Sequence, residues 1–286
     1  MTLIKALTLS TSLLLTLGLQ AASVWKVSNE QHSLYIGGTM HVLTPKDYPL
    51  AKEYDLAYKA ADKVIFETDM QTASSPEFSQ KLMSQMMYND GTTINQVLKP
   101  DTYKALAIHL SSREIPMQTL ASYKPSLLAI SLSFIELKAM GYSSEGVDMF
   151  YTNMAKAHGK EQGWLETPDE QLAFIANLGG DDPNAIIEYT LEDIKKMPEM
   201  FPKLHATWLA GDMQGMADVA ITQFKTDFPA IYQDLLVTRN NNWLPQIVNM
   251  LNDQPIEFVL VGALHLAGSD SVLAKLKAKG YKIEKL

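Results

Sequence analysis

No cysteine occurs among the 286 residues of this chain, which excludes disulfides, thiolate metal sites and a cysteine nucleophile together. Arginine is scarce: there are two, Arg113 and Arg239, and every other basic residue is lysine. With a formal net charge of -8 and no basic cluster, the chain lacks the grouped cations that nucleic-acid binding requires. It has neither a Gly-x-x-x-x-Gly-Lys-Ser/Thr phosphate loop nor a Gly-x-Ser-x-Gly nucleophile elbow. Past the N-terminus, charge interrupts every apolar run within about 15 residues, too few to cross a bilayer.

The N-terminus itself is different. Lys5 precedes an apolar and hydroxyl-bearing run over residues 6–18, and Ala21 and Ala22 end the segment in small residues. This reads as a secretory signal over residues 1–22, so the expected location is periplasmic or secreted, with no stable membrane span after cleavage. Residues 23–286 remain as one domain, and 47% apolar residues in the whole chain supply a substantial core.

Hydrophobic patterning predicts strands over 24–28 and 33–37 around a turn at 29–32, then a helix over 50–62 and a β-branched strand over 63–69. Such a β-α-β unit pairs in parallel by default. Helices are expected over 76–88, 101–112, 116–123 and 125–140, then a strand over 161–165 and a helix over 168–178. A helical block punctuated by Pro and Gly covers 183–251. A strand over 257–261, a helix over 269–279 and a strand over 281–284 close the chain. The fold class is α/β: a central mixed, largely parallel sheet carrying large helical insertions.

Two of these strands end alike. Leu34-Tyr35-Ile36-Gly37-Gly38-Thr39-Met40-His41 and Phe258-Val259-Leu260-Val261-Gly262-Ala263-Leu264-His265 are each an apolar run, a Gly, two residues and a His. If the strands are neighbours, both imidazoles emerge at one sheet edge, where open α/β sheets bind ligands. Glu67 ends a third strand. Two histidines and a carboxylate with one position left open form a hydrolytic metal ligand set; the alternative is that each histidine merely caps its strand. Glu166 also follows a strand, either as general base or orienter or as a charge on the dipole of the helix beginning at Pro168. Asp148 opens a helix and reaches a site only by position. Arg239 suits a carboxylate or oxyanion clamp, or else is a surface arginine. His32 falls in a turn, and His109, His158 and His205 lie on or beside helices without a partner at i+3 or i+4, which favours structural roles. The 15 methionines sit at helical spacing, as core filler rather than a copper site.

Taken in order, Gly38-Thr39-Met40-His41, Glu67 with Asp69, Gly146-Val147-Asp148, Leu165-Glu166-Thr167, Arg239-Asn240 and Gly262-Ala263-Leu264-His265 resemble the TraB/GumN family. The resemblance extends over almost all of the chain after the leader. Through it the chain is similar to Tiki-type metalloproteases and, more distantly, to erythromycin-esterase and ChaN-like proteins. It implies peptide-bond hydrolysis with a divalent ion (manganese, cobalt or zinc) at His41, Glu67 and His265, acting on a peptide or protein. Glu166, Arg239 and Asp148 are then the expected catalytic partners, and Asn240 the expected substrate contact. Two other readings stay open: a metal-free, histidine-based esterase-like hydrolase, and a non-catalytic binder of peptides or pheromones.

Overall fold

Six strands form the central sheet of the computed structural model, in the order β6-β4-β7-β2-β1-β8. They are β1 (Val24–Ser28), β2 (Ser33–Thr39), β4 (Lys63–Phe66), β6 (Glu161–Trp164), β7 (Glu257–Gly262) and β8 (Lys282–Lys285). A two-stranded ladder of β3 (Val42–Leu43) and β5 (Ser144–Glu145) stands apart. The structure describes residues 22–178, 182–252 and 254–286; the leader expected over 1–22 therefore lies, except for its last residue, outside the described residues. Among the described residues no helix is long and apolar enough to cross a membrane.

Pairing is parallel from β6 through β4 and β7 to β2, and antiparallel from β2 to β1 and β8. The sheet is thus mixed and largely parallel. Its antiparallel turn is an Asx turn, in which Asn29 Oδ1 accepts from the backbone N–H groups of Gln31 and His32. Central β7 is buried from Glu257 to Val261, as befits a parallel strand covered on both faces. Alternation then divides the core. Val64, Phe66, Phe258 and Leu260 point to one face, and Ile36, Ile65, Val259 and Val261 to the other.

Helices α1 (Lys52–Ala60) and α5 (Val147–His158) cover the first face with Tyr54, Ala57, Tyr151 and Ala155. Helices α8 (Arg239–Met250) and α9 (Val272–Ala278) cover the second with Trp243, Ile247, Val272 and Leu276. Between these lie α2 (Pro76–Met86), α3 (Pro100–Ser112), α4 (Pro125–Ala139), α6 (Pro168–Ala176) and α7 (Pro183–Ala210). Leu106, Leu110, Leu128, Leu132, Ile187 and Leu191 give α3, α4 and α7 a core of their own. Gly37 is required where β2 meets β7: a Cβ there would stand 2.9 Å from both Leu260 Cδ2 and Phe258 Cε2.

Three expectations need correction. The strands of the expected β-α-β unit, β2 and β4, run parallel but do not pair, because β7 lies between them and pairs with both. The helix expected over 116–123 is a single 3₁₀ turn, Met117–Leu120. The punctuation expected after residue 183 is absent at Pro198 and Pro202, because α7 runs through both without breaking. An internal proline costs a helix about 3 kcal/mol; the apolar stripe that buries Ile187, Leu191, Ile194, Met197 and Trp208 offsets it.

Candidate functional site at the sheet edge

Because β6, β4, β7 and β2 run in one direction, their C-terminal ends share one edge. The register pairs Thr39 with Gly262 and Phe66 with both Leu260 and Trp164. Past the strands, Leu165 N–H donates to Phe66 O and Glu166 N–H to Glu67 O, so the two glutamates start from adjacent backbone. His41 follows β2 by two residues, and His265 lies in the 3₁₀ turn Ala263–Leu266 after β7. All seven residues singled out in the sequence come together here.

Arg239, the first residue of α8, occupies the centre. Its Nε donates to Glu166 Oε2 at 3.1 Å and its Nη2 to Glu166 Oε1 at 2.5 Å; Nη2 also reaches Glu67 Oε2 at 2.6 Å, and Nη1 lies 3.1 Å from His265 Nε2. Its side chain is only 10% exposed, so it is no surface arginine. Glu166 also accepts from Trp243 Nε1 at 3.2 Å. The dipole of α6 is served instead by Thr167 and Glu170, which form a capping box.

The two imidazoles are oriented from behind. Asp148 Oδ2 lies 2.9 Å from His41 Nδ1 while its Oδ1 accepts from Thr39 Oγ1 at 2.7 Å. Asn240 Oδ1 lies 2.7 Å from His265 Nδ1, and its Nδ2 donates to Asp270 O at 2.9 Å, which fixes the amide orientation. An acceptor at each Nδ1 makes that nitrogen an N–H, and in the neutral ring Nε2 keeps its lone pair. Gly146 makes the first contact possible. A Cβ there would meet His41 O at 2.3 Å and Met40 O at 2.4 Å, so only glycine lets α5 bring Asp148 this close.

Burial alone would push the Glu67 carboxyl up, but Arg239, then His265 and His41, and the Gly262 N–H at 2.6 Å outweigh it and hold the group down at about 2. Burial pushes His265 down to about 3 and keeps it neutral. Burial also raises Glu166, against the pull of Arg239. The Asp148 carboxylate raises His41 above the ordinary imidazole range.

A cavity of about 320 Å³ opens over this edge. His41, Glu67, Arg239 and His265 form its polar end; Phe134 of α4 and Leu204 of α7 stand among its apolar walls. The His41 side chain is 62% exposed, against 5% for His265. Glu166, Asp148 and Asn240 do not line the cavity. Glu166 is sealed behind Arg239, and Asn240, expected at substrate, is turned toward His265; all three position other groups.

The site also uses residues that the sequence reading passed over. Trp243 packs its ring 4.4 Å from that of His265 and 4.6 Å from the Arg239 guanidinium carbon; its place one helical turn after Arg239 was the available signal. Thr39 lay inside the first motif. Asp270 gave no signal, since it acts through its main-chain carbonyl. Outside the site, His109 meets Glu136, His158 meets Tyr58 and His205 meets Asp47, each on another element.

A divalent ion would find its donors in an ionised carboxylate and the Nε2 atoms of two imidazoles, His41 losing its proton on binding. His41 Nε2, Glu67 Oε1 and His265 Cδ2 lie 4.0, 3.1 and 3.5 Å from the point where a Cβ on Gly262 would stand, so the three side chains surround one spot. Among the described residues no group of three His, Asp or Glu is already gathered for holding a metal ion, and Arg239 holds two of the three donors.

An α/β domain with a buried carboxylate, imidazole and guanidinium network at the C-terminal edge of its parallel strands is the class that fold and site define. Residues 23–285 match the TraB/PrgY/gumN family, and the chain belongs to that family. Neither a curated protein nor a solved structure matches it.

Proposed function

We propose that the protein is an exported, metal-dependent hydrolase of peptide bonds, with His41, Glu67 and His265 holding a divalent ion of the manganese, cobalt or zinc kind. One observation carries the reading. Three buried carboxylates gather here, Glu67 and Glu166 on the Arg239 guanidinium and Asp148 on His41; with Arg239 and His41 both charged, the cluster keeps one uncompensated negative charge. Burying such an excess is costly unless a cation balances it, and both imidazoles border the spot where a cation would sit, His41 giving up its Nε2 proton to bind one. Orientation of a metal-binding imidazole by a carboxylate or carbonyl at its other nitrogen is the usual support for that role.

When bound, a divalent ion supplies Lewis acidity, acidifying water and polarising a carbonyl. The chain's own groups do the rest. Asp148 and Asn240 hold the Nδ1 protons, Glu166 fixes Arg239, and the guanidinium lining the cavity stabilises developing negative charge on the carbonyl oxygen. Water adds across the amide to give a carboxylate and an amine.

A second reading has its own observation. Arg239 already contacts His265 Nε2 and Glu67, and His41 on Asp148 is the open imidazole of the cavity, arranged as a general base needing no ion. Elemental analysis of purified protein, with peptide hydrolysis measured before and after chelation, separates the two. The metal reading expects activity lost on chelation, restored by manganese, cobalt or zinc, and absent in His41→Ala and His265→Ala. Activity surviving complete chelation selects the metal-free route. A protein that retains no metal and cleaves no peptide is not a hydrolase of this kind.

A further inference from the structure

A second cavity, about 850 Å³ in volume, lies on the other side of the turn that carries His265. Met216, Leu264 and His265 face the site cavity, while Ala217 and Leu266 face this one. Trp25, Ile221 and Leu273 extend its apolar floor, and Lys225 and Lys277 line it. Among the described residues no Asp or Glu lines it, in a chain whose net charge is -8. Lys277 forms no ion pair among the described residues.

Lys225 ties this cavity to the site. Its Nζ donates to Asp270 Oδ2 at 2.7 Å, where Tyr232 also donates at 2.8 Å. The main-chain carbonyl of Asp270 accepts from Asn240, whose side-chain oxygen holds Nδ1 of His265. An anion competing for Lys225 therefore acts on the segment that orients His265.

We propose that this cavity binds an amphipathic monoanion, an apolar body ending in a carboxylate, and that its occupancy is felt at His265. The floor takes the apolar body and the two ammonium groups take the charge, a division of labour usual in small-molecule sites, whose volumes span roughly 300–1,000 Å³. A 150 Å³ cavity already holds benzene, so the space accommodates a chain of about ten carbons or a short apolar peptide end. The site stands independently of the hydrolase reading.

Calorimetric titration of the full chain tests it, with decanoate for an acyl chain and acetyl-Leu-Leu carboxylate for a peptide end. Decanol and acetyl-Leu-Leu amide are the uncharged controls. One equivalent of at least one carboxylate is expected to bind, with its uncharged control about tenfold weaker or silent. Binding should weaken about tenfold in Lys225→Met/Lys277→Met and be lost in Ala274→Trp, which fills the cavity from α9. The imidazole ¹⁵N signals of His265 should shift on saturation. Whichever carboxylate binds identifies the source of the ligand. No binding at millimolar concentration, equal binding of the controls, binding indifferent to Ala274→Trp, or unmoved His265 signals at saturation would each overturn the proposal.

Discussion

The chain's two arginines grip glutamates alike and serve different ends. Arg113 donates through Nε and Nη2 to the two oxygens of Glu136, and Arg239 does the same to Glu166. Around Arg113 the charges match one to one, its side chain is 40% exposed, and its neighbour His109 stands 3.3 Å from Glu136. Around Arg239 one buried cation faces two carboxylates and an imidazole nitrogen. The first arrangement fastens α3 to α4 and is complete. The second is electrostatically unfinished and opens onto a cavity. An identical pair geometry therefore says little about role; the count of surrounding charges and the access to solvent decide it.

The largest contrast is expected in hydrolysis. Arg239→Met should lower kcat/KM by about 10²–10³-fold, the usual cost of removing a donor to a developing oxyanion, whereas Arg113→Met should leave it unchanged. Equal losses in a peptide-hydrolysis assay would erase the distinction. Stability should divide the same way. Arg239→Met strands two buried carboxylates and is expected to cost about 3–5 kcal/mol in urea unfolding. Arg113→Met leaves Glu136 beside His109 and should cost about 1–3 kcal/mol.

Next in size is the effect of the groups behind the imidazoles. Asp148→Asn should weaken metal binding about 10–100-fold, measured by competition with a chromogenic chelator, with no change in Glu136→Gln.

The response to pH sharpens the comparison further. His265 folds with its pKa lowered from 6.5 to about 3, so between those values the unfolded chain binds a proton that the native chain refuses. Stability therefore falls as pH falls across that window. Glu67, lowered from 4.5 to about 2, contributes stability that is complete above about 4.5 and lost as pH falls toward 2. Glu136, also lowered, likewise contributes in full above about 4.5 and loses its contribution only as pH falls below that. His41, raised, contributes below 6.5 and loses its contribution as pH rises through its folded pKa. Unfolding in chelator at stepped pH should show a decline beginning below 6.5 that His265→Gln removes. The smallest effect expected is that of the double replacement Arg113→Met/Glu136→Leu, within about 1 kcal/mol of wild type or more stable.

Strand ends were legible because apolar runs stopping at Gly37-Gly38 and Gly262 leave few alternatives; the intervening helix gave β2 and β4 their common direction but not the insertion of β7 between them. The two histidines were found because each follows such a run, and Glu67 and Glu166 because each stands at the end of an expected strand. Asn240 was found, but its partner was not, since nothing in Asp270 marks its carbonyl as an acceptor. The division between lining and support was hidden as well. Glu166 and Glu67 read alike in sequence, and only the position of the guanidinium separates them. The path of α7 through Pro198 and Pro202 likewise depended on burial that local propensity does not contain.

By itself, the order of residues determined which segments become strands, where each ends, and which chemical groups stand at those ends, because these follow from period, side-chain type and glycine. Tertiary structure alone decided that four strand ends share an edge, that Gly146 lets Asp148 approach His41, and that Arg239 stands between two glutamates. These depend on contacts between residues as far apart as Thr39 and Gly262, the paired ends of β2 and β7, and short-range patterning holds no record of distances across the fold.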